Sequence, residues 1–75
     1  MERDEIEALR QRRHDLYAHE AETHDRAATR HDNAAAAFER FGQYAQGKTE
    51  RALARVERRK ASLARERAEE LLRNS

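Results

Sequence analysis

Four histidines, His14, His19, His24 and His31, are the side chains of this 75-residue polypeptide whose chemistry is most open, and three of them are followed by an aspartate. An imidazole can hold a metal ion, relay a proton or pair with a carboxylate. Two ligands on one helix converge on a single ion when they stand three or four residues apart. The histidines are spaced by 5, 5 and 7 residues, so no two of them meet that condition. Asp15/His19, His19/Glu22 and Glu20/His24 have usable spacing, but His19/Glu22 reverses the Glu-x-x-His order of di-metal helical bundles. No metal and no cofactor is therefore expected within one chain. The one metal reading that remains is an ion bridging copies through His24, His31 and Glu20.

A second constellation is basic. Lys48 to Lys60 holds six basic and two acidic residues, with Arg58, Arg59 and Lys60 contiguous. Arg51, Arg55, Arg58, Arg59 and Lys60 would form a stripe suited to neutralising phosphates, giving salt-dependent nucleic-acid binding. The formal net charge of only +1, the interleaved acids and the lack of an aromatic to stack on bases count against it. Nucleophilic catalysis has little to work with: cysteine is absent, Ser62 and Ser75 are the only serines, and there is no glycine-rich phosphate loop. Neither a catalytic site nor a small-molecule substrate is expected.

The elements that must carry these residues are helices. Charged residues make up 41% of the chain, proline is absent and there are two glycines, the profile of long helices and coiled coils rather than sheets. Of the apolar residues, 15 are alanine; the 13 larger ones include Met1 at the very start. So thin a supply of large apolar side chains implies that a second chain or a partner surface completes the core. The first ten residues, MERDEIEALR, are too charged for a signal peptide, and no apolar run approaches the ~20 residues that span a bilayer. No membrane association is expected, and a cytoplasmic location is the default.

Tyr17, His24, His31 and Phe38 recur every seventh residue, beside a second row of Arg13, Glu20, Ala27, Ala34 and Phe41. These rows predict one helix over 3–41. Gly42 is suited to the left-handed conformation that ends helices, and Gly47 reads as a second breaker. A turn over 42–48 follows, then a helix over 50–73 with Thr49 as its N-cap. The fold class expected is all-α: an antiparallel, coiled-coil-like two-helix hairpin forming one domain over 1–75, completed to a four-helix arrangement by self-association.

A connection of that length sets a register in which facing residue numbers add to about 91. Phe38 would meet Leu53, Ala34 would meet Val56, His31 would meet Lys60, and Glu20 or His24 would meet Arg67. Residues 1–41 carry net charge −3 and residues 42–75 net +4, so the arms attract. A histidine opposite Arg67 or Lys60 is most comfortable neutral, and acidification toward about pH 5 would then loosen the middle of the hairpin. Residues 1–13 would project unpartnered and present Ile6 and Leu9.

The function expected is that of a non-enzymatic interaction module that binds itself, a larger protein, or both. The interface residues are Ile6, Leu9, Phe38, Phe41, Tyr44, Leu53, Val56, Leu71 and Leu72, around a polar seam of Glu20, His24, His31, Lys60 and Arg67. The aromatics beside the turn are expected to form its best-packed part. Nucleic-acid binding through the second helix and metal bridging through the first are the alternatives.

Overall fold

A computed structural model describes residues 2–73; Met1, Asn74 and Ser75 lie outside the described residues. Two helices account for nearly all of it: α1, Arg3–Arg40, and α2, Tyr44–Arg73. No strand occurs among the described residues. Alanine-rich sequence without proline favours both helices intrinsically. Asp4 and Glu5 in the first turn of α1 and Arg40 in its last lie with the helix dipole. A helix of 38 residues should measure about 57 Å at 1.5 Å per residue, and the molecule is a rod of 60 × 14 × 12 Å.

The reversal takes three residues, Phe41 to Gln43, where the residue pattern predicts seven. Gly42 has φ +75, its N–H donates to the Glu39 carbonyl at 3.0 Å, and the Gln43 N–H donates to the Phe38 carbonyl at 2.8 Å. These are the two bonds of a Schellman cap, which satisfies the last carbonyls of α1 and points the chain back. The second helix is thus six residues longer at its start than expected. Thr49 is no N-cap: its hydroxyl donates back to the Ala45 carbonyl at 3.2 Å, as a mid-helix threonine does.

Gly47 likewise is not a breaker but a buried residue of α2. A Cβ there would stand 3.0 Å from Glu39 Cγ and 3.3 Å from the Ala35 carbonyl oxygen. Glycine mid-helix costs about 1 kcal/mol relative to alanine, and here it lets the two backbones close up beside the turn.

The core follows from this early reversal. On α1 the buried residues are Ala21, Ala28 and Ala35, spaced by seven; on α2 they are Gly47, Ala54, Ala61 and Ala68, also spaced by seven, with Ala64 beside them. Every buried residue among those described is alanine or glycine. Small residues repeating on both partners allow close helix approach, so backbone atoms and methyl groups make the contact that leucines make in wider coiled coils. Ala21, Ala61 and Ala64 pack together as one cluster.

Facing pairs fix the register. His24 meets Glu57 and His31 meets Glu50, pairs that add to 81, while Asp25 with Arg65, Asp32 with Arg58 and Glu39 with Arg51 add to 90 on one flank; Ala21 packs with Ala64 between them, so level residues add to about 85 rather than about 91. The expected contacts of Phe38 with Leu53, Ala34 with Val56 and His31 with Lys60 are replaced accordingly. The projecting end of α1 is also shorter than expected: Leu71 reaches back to a shallow concavity that it shares with Ile6, Leu9, Arg10 and Arg13.

Candidate interaction surface

The row Tyr17, His24, His31 and Phe38 does face the second helix, each residue half-buried. The row beside it in the seam is Ala21, Ala28 and Ala35, not Glu20, Ala27 and Ala34. Within the seam the two histidines make matched layers: His24 Nδ1 stands 2.5 Å from Glu57 Oε2, and His31 Nδ1 stands 2.5 Å from Glu50 Oε2. An ionised carboxylate only accepts, so each Nδ1 carries the proton and donates it. The hydrogen bond from His24 holds the Glu57 carboxyl below its ordinary value, partial burial opposing and Lys60 assisting. Arg67 and Lys60 do not face the histidines, which removes the basis for loosening near pH 5. A proton gained by either imidazole meets a carboxylate. Glu20, Lys60 and Arg67, expected in the seam, are exposed.

Heptad spacing gives the seam two open edges of different chemistry. One edge is an ion ladder. Asp25 accepts from Arg65, Asp32 accepts from Arg58, and Glu39 accepts from Arg51 at 2.5 Å, each acid and each base seven residues from the next. Arg51 also lies 3.5 Å from Asp32, so that carboxylate bridges two rungs. The Arg58 hydrogen bond, with the nearby charges of Arg51 and Arg55, lowers the Asp32 carboxyl below its usual range, and Glu39 raises the Arg51 guanidinium. This ladder was not anticipated, although an acid at 25, 32 and 39 and an arginine at 51, 58 and 65 are visible as heptad rows.

The other edge carries most of the large aliphatic side chains, interleaved with charges. Its α1 rows hold Ile6, Arg13, Glu20, Ala27 and Ala34, and Leu9, Leu16, Thr23 and Arg30; its α2 rows hold Leu53, Lys60 and Arg67, and Val56, Leu63 and Glu70. Six of the large apolar residues left exposed lie here: Ile6, Leu9, Leu16, Leu53, Val56 and Leu63, between 41% and 60% exposed. Leu16 and Leu63 were not among the expected interface residues. They escape notice in a search for core-facing rows because they lie outside them. No ion pair between the helices crosses this edge among the described residues.

The remaining expected interface residues are scattered. Phe41 at 79% and Tyr44 at 69% exposure flank the turn without packing into it, which overturns the expectation that the turn is the best-packed region. Phe38 and Leu71 are half-buried, and Leu72 lines a concavity with Glu7, Arg10 and Gln11 at the far end. The basic stripe is split by the fold. Arg51 and Arg58 are engaged in the ladder, Arg55 lies on that same edge, Arg59 points away from α1, and Lys60 lies on the leucine edge, 3.9 Å from Glu57.

No group of three or more His, Cys, Asp or Glu side chains suited to a metal ion occurs among the described residues. No helix among them is long and apolar enough to cross a membrane. No protein-family model, no curated protein and no solved structure matches the chain significantly.

Proposed function

We propose that this chain is a non-enzymatic helical-hairpin interaction module that docks through its leucine edge onto another helical surface, completing a bundle of more than two helices. The observation that carries this reading is the segregation of side chains by size. Alanine and glycine close the seam between α1 and α2, while leucine, isoleucine and valine are left on one edge. Leucine is of little use to the hairpin there. Burying one such side chain contributes roughly 1.5–3 kcal/mol, and a partner covering several of them gains most of that. Between Tyr44 and Leu72, which stand at its two ends, the opposite edge carries its charges in internal pairs, so its middle offers a partner no free row of one sign.

Face-specific photo-crosslinking in cells that express the chain tests the proposal. A photoreactive residue replacing Leu63, on the leucine edge, is expected to trap a protein, whether another copy or a different chain. The same residue replacing Thr29, on the ladder edge, is expected to trap none. Equal capture from both positions, or none from Leu63, contradicts the reading.

A further inference from the structure

We propose that the turn half of the molecule, on the side of the ion ladder, binds single-stranded nucleic acid, with phosphates held by Arg40, Lys48, Arg55 and Arg59 and an unpaired base stacked on Tyr44. This surface is separate from the leucine edge and independent of what docks there. Charge is divided between the two ends of the rod. Residues 26–62, the half that contains the bend, carry nine basic and four acidic groups, net +5 with histidines neutral; the remaining residues carry seven and eleven, net −4. The formal total of +1 conceals this division. All four acids of the bend half are already engaged: Asp32 with Arg58 and Arg51, Glu39 with Arg51, Glu50 with His31, and Glu57 with His24.

The free cations collect on one flank of α2. From Tyr44 to Ser62 its three rows on the ladder side are Tyr44, Arg51 and Arg58, then Lys48, Arg55 and Ser62, and outermost Ala45, Ala52 and Arg59. None of them is acidic. Arg51 and Arg58 are held by acids of α1, whereas Lys48, Arg55 and Arg59 are exposed and make no ion pair among the described residues. Arg40, exposed and unpaired in the same sense, adds a charge from the last turn of α1. Cations spread in this way attract a phosphate backbone whatever its sequence. Tyr44 opens the ladder row and is 69% exposed, and Phe41 beside the turn is 79% exposed. Because α2 begins at Tyr44, the flank gains the aromatic that the stripe from 48 to 60 lacks. Exposed rings beside a track of cations are what single strands bind, bases on the rings and phosphates on the cations. An anionic membrane met by the tip of the rod would need its cations at the tip. Here they continue to Arg59, about 22 Å from Tyr44 at 1.5 Å per residue, which suits a strand laid along the helix.

Fluorescence anisotropy of a labelled oligodeoxythymidylate of about 15 nucleotides, titrated with the intact chain, tests the proposal. Binding is expected in dilute buffer, weakening at least about tenfold between about 50 and 200 mM salt. Lys48→Gln combined with Arg55→Gln and Arg59→Gln is expected to bind at least about tenfold more weakly at the lower salt, while remaining helical by circular dichroism. Arg3→Gln combined with Arg12→Gln and Arg73→Gln removes the same charge from the other end of the rod, beyond the reach of unscreened attraction, and is expected to change the affinity less than about threefold. Tyr44→Ala is expected to bind about fivefold more weakly or worse. Equal losses from the two triple variants overturn the site, and an affinity unchanged by Tyr44→Ala overturns the assignment to a single strand. No binding in dilute buffer overturns the proposal outright, as does binding to phosphatidylserine-containing vesicles but not to the oligonucleotide.

Discussion

The two edges of the same seam solve the same problem in opposite ways. On the ladder edge, each acid of α1 meets an arginine of α2 within one chain: Asp25 with Arg65, Asp32 with Arg58, Glu39 with Arg51. On the leucine edge, Glu20 and Lys60 make no pair between the helices, among leucines left largely open by the hairpin. Between them runs a seam whose fully buried residues, among those described, are all alanine or glycine. Closeness of approach rather than apolar volume holds this hairpin together, which leaves most of its large aliphatic side chains outside the seam.

A large residue placed where only small ones fit should separate seam from edge most strongly. Ala28→Leu, at a position with no exposed surface, is expected to force the helices apart and destabilise the chain by about 1–3 kcal/mol in thermal or denaturant unfolding. Leu63→Ala, on the open edge, is expected to leave the stability of a single hairpin within about 0.5 kcal/mol of the original. Equal effects of the two substitutions would erase the distinction between seam and edge.

Acid separates the layers within the seam from ordinary surface charge. The folded state holds Glu57 and Asp32 below their ordinary values of 4.5 and 3.8, so the stability they supply is complete above those values and is lost as pH falls through the depressed ones. The melting temperature is therefore expected to drop below about pH 4.5, and Glu57→Gln is expected to shallow that fall. A decline already complete by about pH 5.5 would point to the histidines facing cations instead.

A smaller effect is expected at the bend. Gly42→Ala places a Cβ in the left-handed region, costing about 1–2 kcal/mol if the cap is kept. Weakest of all is the ladder, whose pairs are solvent-exposed. Asp32→Asn is expected to lower the melting temperature slightly in dilute buffer and hardly at all in high salt. Salt-independent destabilisation by that substitution would mean that the ladder edge is packed rather than merely paired.

The hairpin and the turn-forming role of Gly42 are legible in the residue pattern, because composition, the heptad rows and a capping glycine all act locally. The register is not. Gly47 and Thr49 carry the usual marks of a helix boundary, but tertiary packing overrides them. A glycine facing Ala35 costs little helix propensity compared with the close contact it permits. Misplacing the start of α2 by six residues moves every facing pair, which is why His24 and His31 read as opposite bases when Glu57 and Glu50 lie there. The alanine rows at 21, 28, 35 and at 54, 61, 68 were equally visible. Weighting rows by apolar bulk selects Ala27, Ala34 and Phe41 instead, and so reads the leucine edge as part of the core.

Cysteine pairs report which residues meet across the seam, since the chain has no cysteine of its own. Ala21 and Ala61 pack together across the seam. Ala21→Cys combined with Ala61→Cys is expected to close a disulfide within one chain on mild oxidation in dilute solution. Ala28→Cys combined with Leu63→Cys, a pair that would meet only in a register near 91, is expected to stay reduced. Closure of the second pair and not the first would contradict the alanine seam and everything placed upon it.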